Sequence, residues 1–208
     1  MAKFSIAFDH ADAKLGHYFQ SSRDDISAFI TQHNNEHLVH EIPSANCTQA
    51  YIDGYMPSLN GERSLFIAYS HGNNEFLSSV NGKYILSPEN TGYFTNCFLY
   101  SMACNTGKIL GPDVVSKGCI TFIGYKDSAY ALLGDEKQLS IDCDNKAIKV
   151  FMNGSSAENA VIAMKTFLKE SIRVLVKNKK ALKAGYLRHN LAVLVIYGDS
   201  GVLFNSFN

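Results

Sequence analysis

The chain has 208 residues, 46% of them hydrophobic and 18% charged, with a formal net charge of +0. This composition excludes a disordered chain and suits one domain over residues 1–208. The charge balance gives no electrostatic basis for holding nucleic acid or a membrane surface. No apolar run is long enough to span a bilayer, and the first ten residues lack the apolar core of a signal peptide. With five scattered cysteines and no Cys-x-x-Cys pair, the sequence reads as a reduced, cytoplasmic protein.

Lys3 to Phe8 reads as a first strand, ending in the polar loop Asp9-His10-Ala11-Asp12. Leu15 to Gln32 has helical spacing, interrupted at Ser21-Ser22-Arg23-Asp24-Asp25, where Ser22 and Asp25 fit the start of a second helix. His37 to Ile42 reads as a strand stopped by Pro43, and Thr48 to Met56 as a short helix broken at Pro57. Ser64 to Ser70 is a buried strand that ends in His71, with Gly72 and Asn73 forming the turn. Two short β-like runs follow around Val80-Asn81-Gly82-Lys83, a hairpin beside His71 that forms part of a substrate wall.

Phe98 to Ala103 repeats the earlier design: an apolar strand delivers Cys104 to a sheet edge, and Asn105-Thr106-Gly107 turns the chain. A short helix is expected over Ile109 to Lys117 with Pro112 in its first turn, then a buried strand from Gly118 to Tyr125. Asp135 to Asn153 reads as a loop with a strand or a lid, exposed enough to be an activation or processing site. Ala157 to Ala184 is the longest helical stretch, its basic end favoured by the helix dipole and Gly185 as its cap. Leu191 to Tyr197 is the last strand. Strands alternating with helices, several of them apolar on both faces, predict a mainly parallel sheet covered by helices, with functional loops at the carboxyl ends of the strands.

If the strands ending in His71 and Cys104 are parallel neighbours, imidazole and thiol emerge at one edge as a base and a nucleophile. The bland alternatives are a satisfied turn histidine and an inert buried cysteine. Other motifs fail. His33-Asn34-Asn35-Glu36-His37 spells a zinc pattern, but Asn-Asn favours a turn over the helix that pattern requires. Thr106-Gly107-Lys108 lacks the upstream glycine of a phosphate loop, and Gly-x-Ser-x-Gly does not occur.

The segments Phe66-Ile67-Ala68-Tyr69-Ser70-His71-Gly72 and Tyr100-Ser101-Met102-Ala103-Cys104-Asn105-Thr106-Gly107 resemble the His-Gly and Ala-Cys motifs of caspase-like cysteine peptidases. The resemblance is greatest to the bacterial CHAT and gingipain/clostripain-type branches. Ile196-Tyr197-Gly198-Asp199 looks like the Tyr-Gly-Asp of several members, although Ser200 replaces the usual proline. The resemblance implies a caspase-like three-layer sandwich and an endopeptidase that needs no metal or cofactor. By that resemblance it would act on a protein or peptide substrate, in a bacterial defence or regulated-death pathway, under an activating or regulatory protein. By the same resemblance Cys104 is the nucleophile, His71 the general base and acid, and the N–H groups of Gly72 and Cys104 the oxyanion hole. No acidic third member is implied.

For the substrate pocket the resemblance points to the end of the first strand and to Met102, where several Arg/Lys-specific relatives carry Asp. Asp9 or Asp12 is expected to supply an acid there, and Asp127 is a weaker choice. Preference for a basic or for a small or apolar residue stays open. So do two other classes, a catalytically silent scaffold that binds a partner and an unrelated doubly wound binding protein.

Overall fold

The computed structural model describes residues 1–208. Its centre is a six-stranded sheet made of β1 (Lys3–Phe8), β2 (Leu38–Pro43), β3 (Ser64–Tyr69), β7 (Cys97–Ser101), β8 (Thr121–Tyr125) and β9 (Leu194–Gly198), in the order β2-β1-β3-β7-β8-β9. The first five of these run parallel, and β9 pairs antiparallel to β8 at one edge. β3, β7 and β8 are buried along their whole lengths, as continuous apolar runs require when both faces are covered. A second, three-stranded antiparallel sheet is made of β4 (His71–Gly72), β5 (Phe76–Ser79) and β6 (Gly82–Leu86). The expected hairpin forms, but its turn is Val80-Asn81, one residue before the Asn-Gly pair, and Gly82 opens β6 with a φ of +111°.

Helices α1 (Gly16–His33), α4 (Lys137–Met152), α5 (Ala157–Lys177) and α6 (Ala181–Val193) cover one face of the sheet. There Phe4, Ile6, Ile67, Phe98 and Tyr100 meet Ile26, Ile148, Phe151 and Met164. Helices α2 (Gln49–Ser58) and α3 (Leu110–Ser116), with the hairpin, cover the other, where Phe66, Leu99 and Phe122 meet Ile52, Met56, Leu110 and Tyr84. The result is an α/β fold with three layers, and no helix is long and apolar enough to cross a membrane.

Several expectations are corrected. Ser21 to Asp25 does not interrupt a helix: α1 runs through it, because Ser22 is fully buried and its carbonyl accepts from Asn145 Nδ2 (3.0 Å) across the α1–α4 contact. Asp135 to Asn153 is neither a loop nor a lid. It forms α4, packed between α1 and α5, and its backbone is not open to nicking. The long helix ends at Lys177. Lys179 turns the chain with a φ of +59°, α6 follows, and Gly185 lies inside α6 instead of capping α5. Lys180 and Lys183, part of the basic end expected to serve the helix dipole, both pair with the buried carboxylate of Glu136. Pro57 is also accommodated within the last turn of α2.

Candidate active site

β3 and β7 are adjacent and parallel, in a register that pairs Ala68 with Ser101. The chain leaving β3 reaches His71 two residues past the strand, and the chain leaving β7 reaches Cys104 three residues past it. Both therefore stand at the carboxyl edge of the sheet, and both line one narrow cavity. Its other walls include Leu15, Tyr18 and Phe19 from the start of α1, Met102, Ala129 and Ala131, with Asp144 from α4 and Asn190 from α6.

Glycines hold the two loops together. A Cβ on Gly72 would lie 2.7 Å from Thr106 Cγ2 and 3.0 Å from both Ala103 Cβ and the Cys104 carbonyl oxygen, so only glycine permits this approach. The Cys104 loop is then pinned from the far side. Asn105, at a φ of +61°, donates its N–H to the Asp127 carbonyl (3.0 Å), and Gly107 N–H donates to the Tyr125 carbonyl (2.9 Å). Tyr197 of β9 donates its hydroxyl to the Gly107 carbonyl (2.9 Å), giving that tyrosine a role in shaping the loop.

Two backbone N–H groups at this edge are left without partners. Cys104 lies outside every strand and helix, and its N–H makes no hydrogen bond. Asn73 N–H donates to the Phe76 carbonyl (2.9 Å), so by antiparallel alternation the next pair, Gly72 with Leu77, is non-hydrogen-bonded. The Gly72 N–H is thereby turned away from β5.

His71 is half-exposed, its ring edge-on to Phe19 at 5.6 Å. Its Nε2 lies 3.1 Å from Asp12 Oδ2. The other oxygen of Asp12 accepts the N–H groups of Leu15 (2.6 Å) and Lys14 (2.9 Å), just ahead of α1. Those backbone donors, Leu15 first, hold the Asp12 carboxyl below the ordinary aspartate range, with a smaller contribution from His71. An ionised carboxylate only accepts, so Nε2 carries the proton of the neutral ring and Nδ1 carries the lone pair.

Cys104 is half-buried, whereas Cys47, Cys97, Cys119 and Cys143 are buried free thiols. Burial pushes the Cys47, Cys119 and Cys143 thiols up to about 12 and that of Cys97 well upward. Cys104 Sγ accepts the Ala129 N–H (3.2 Å) and its S–H faces the Ala129 carbonyl (3.6 Å). It makes no hydrogen bond to His71 in this state.

Of the residues expected in a substrate pocket, Met102 lines the cavity. Asp9 does not. It is fully buried, and its Oδ2 accepts the Val80 N–H (2.9 Å), tying the end of β1 to the hairpin turn. Asp127 also lies outside the lining, where its carboxylate accepts the Ser128 N–H (2.8 Å). Asp12 contacts the imidazole instead of a pocket, so the histidine here does have an acidic partner. The His33–His37 pair lies far along the chain from this edge: the rings stack at 5.6 Å, and His37 Nδ1 accepts the Ala2 N–H (3.3 Å).

The sequence reading missed Asp144. It is 9% exposed, and its carboxylate accepts the hydroxyls of Tyr18 (2.6 Å) and Tyr125 (3.2 Å). Tyr100 donates to its backbone carbonyl (2.6 Å). Burial pushes the Asp144 carboxyl up to about 6, against the lowering effect of the Tyr18 and Tyr125 hydroxyls. The surrounding titratable groups, Tyr18, Tyr69, Tyr100, Tyr125 and Cys143, are all held neutral by burial. No family model and no curated protein matches the chain.

Proposed function

We propose that this chain is a cysteine endopeptidase of caspase-like architecture, acting on a protein or peptide substrate. One observation carries the reading. The single thiol outside the core and an imidazole oriented by a carboxylate line the same cavity, beside two backbone N–H groups left without partners.

In the proposed reaction His71 Nδ1 takes the Cys104 thiol proton as the sulfur bonds to the scissile carbonyl carbon. The carbonyl π electrons move to oxygen, and the N–H groups of Cys104 and Gly72 receive the oxyanion. Collapse re-forms the carbonyl and breaks the C–N bond, and His71 returns its proton to the departing amine. Water, deprotonated by the same imidazole, then attacks the thioester, releases the new carboxylate and restores the thiol. Asp12 keeps the ring in the required tautomer and stabilises it when protonated.

The Cys104 thiol is held by the Ala129 backbone and not by His71, so the reactive state requires the thiol to leave that contact. A regulatory protein that moves the 126–133 loop is one way to release it. The test is digestion of a mixed peptide library by the wild type and by Cys104→Ala, read by mass spectrometry. Cleavage confined to the wild type is expected. Equal cleavage by both proteins, or none by a wild type whose Cys104 also refuses peptide electrophiles, would leave a silent scaffold as the better reading.

A further inference from the structure

The cavity beside Cys104 has apolar sides and one ionisable oxygen pair in its wall. Leu15, Phe19, Met102, Ala129 and Ala131 give it hydrocarbon surface. Two of its neutral polar side chains are already committed. Asn190 accepts the Tyr130 N–H and donates to the Tyr130 carbonyl, both at 2.9 Å, and Ser70 bonds the Tyr84 hydroxyl. Asp144 is different. Two hydroxyls reach its carboxylate, which leaves lone pairs on both oxygens, and no Lys, Arg or His forms an ion pair with it.

A buried carboxylate without a countercharge is costly to keep in a folded protein. Glu136, similarly buried, is met by Lys180 and Lys183, whereas Asp9, which also lacks a cation, is shut behind the hairpin and lines no cavity. The wall of the cavity is where a cation is missing. A side chain with a long methylene stem and a charged end complements such a lining in chemistry, and the cavity, about 40 Å³ in this structure, must widen between Met102 and Phe19 to admit it.

We propose that Asp144 is the specificity-determining residue of this site and receives the arginine or lysine side chain of the residue before the scissile bond. This rests on the peptidase reading above. It assigns to α4 the acid that the sequence suggests for the end of β1, and it explains how an apolar Met102 is compatible with a basic substrate: Met102 packs against the stem.

The experiment uses two peptidyl acyloxymethyl ketones that differ only in the residue next to the reactive carbon, arginine or its neutral near-isostere citrulline. Cys104 sulfur bonds to the methylene carbon as the carboxylate leaves, and the rate is read by intact mass. The wild type is expected to react about 30-fold or more faster with the arginine probe, the factor lost when one partner of a buried charge pair is removed. Asp144→Asn should bring the two rates within about threefold of each other while iodoacetamide still alkylates Cys104 at the wild-type rate. The wild-type ratio needs no variant, so equal rates overturn the assignment even where Asp144→Asn does not fold. Equal rates with the two probes in the wild type, or a preference that survives Asp144→Asn, would overturn the assignment and leave the dyad standing. Failure of both peptides to label Cys104, with iodoacetamide still reacting, would overturn the dyad reading and this proposal with it.

Discussion

The loop after β1 and the wall formed by α4 each bring one carboxylate to the edge where β3 and β7 end, and the two are held in opposite ways. Asp12 sits at the surface, its charge supported by the N–H groups of Leu15 and Lys14, and it already has a partner in His71. Asp144 sits in the wall of the cavity, where burial outweighs two tyrosine hydroxyls and no cation is present. One carboxylate is satisfied and therefore suited to orienting a neighbour. The other has hydroxyl donors but no countercharge and is therefore suited to receiving a cation from outside. Position relative to a cleft does not separate these roles; the supply of donors does.

The strongest way to break this comparison is Asp144→Asn, which keeps the shape and removes the charge. It should lower kcat/KM for an arginine substrate by about 30- to 100-fold and leave a citrulline substrate within about threefold. Asp12→Asn should do the reverse in kind: about a tenfold loss or more on both substrates, from a weakened hold on the His71 tautomer. Gly72→Ala tests the contact that joins the two loops. Overpacking against Thr106, Ala103 and the Cys104 carbonyl should cost about 1–3 kcal/mol of stability in urea denaturation, with a larger fractional loss of activity than of folded protein.

Acid offers a gentler probe. Because the Asp144 carboxyl titrates near 6, the arginine preference should be full at pH 7.5 and fade as pH falls through about 6. The same shift has a signature in stability. The folded state binds this proton more tightly than the unfolded chain, whose carboxyl titrates near 3.8. The wild type should therefore gain stability relative to Asp144→Asn as pH falls from about 6 toward 4, by up to about 3 kcal/mol. Thermal melts of both proteins across that range measure it, and parallel curves would contradict it. The smallest effect is expected from Tyr18→Phe. Loss of the 2.6 Å hydroxyl bond should move the midpoint of the arginine preference upward without changing the rate on citrulline.

The sheet and the edge that carries His71 and Cys104 are legible because apolar runs with abrupt ends encode buried parallel strands. Leu65 to Tyr69 and Cys97 to Ser101 are buried on both faces, and their ends deliver His71 and Cys104 to the same side. The wall of the pocket was not legible, for a physical reason. α4 buries Ser140, Asp144 and Asn145, which accept or donate hydrogen bonds across the layer to Tyr18, Tyr69 and Ser22. Buried polar residues of that kind break the apolar periodicity by which a helix is recognised, so the segment resembles a loop. Ser22 hides the continuity of α1 in the same way. The acid that orients His71 was also obscured, because nothing local distinguishes Asp9 from Asp12. Only the fold shows that one points under the hairpin and the other at the imidazole.

The division of labour between the two carboxylates is tested most directly by one matched comparison: kcat/KM for an arginine and a citrulline peptide, measured for the wild type, Asp12→Asn and Asp144→Asn. The account predicts that Asp12→Asn lowers both values and preserves their ratio, whereas Asp144→Asn collapses the ratio and preserves the citrulline value. A ratio that changes in Asp12→Asn, or a uniform loss in Asp144→Asn, would contradict it.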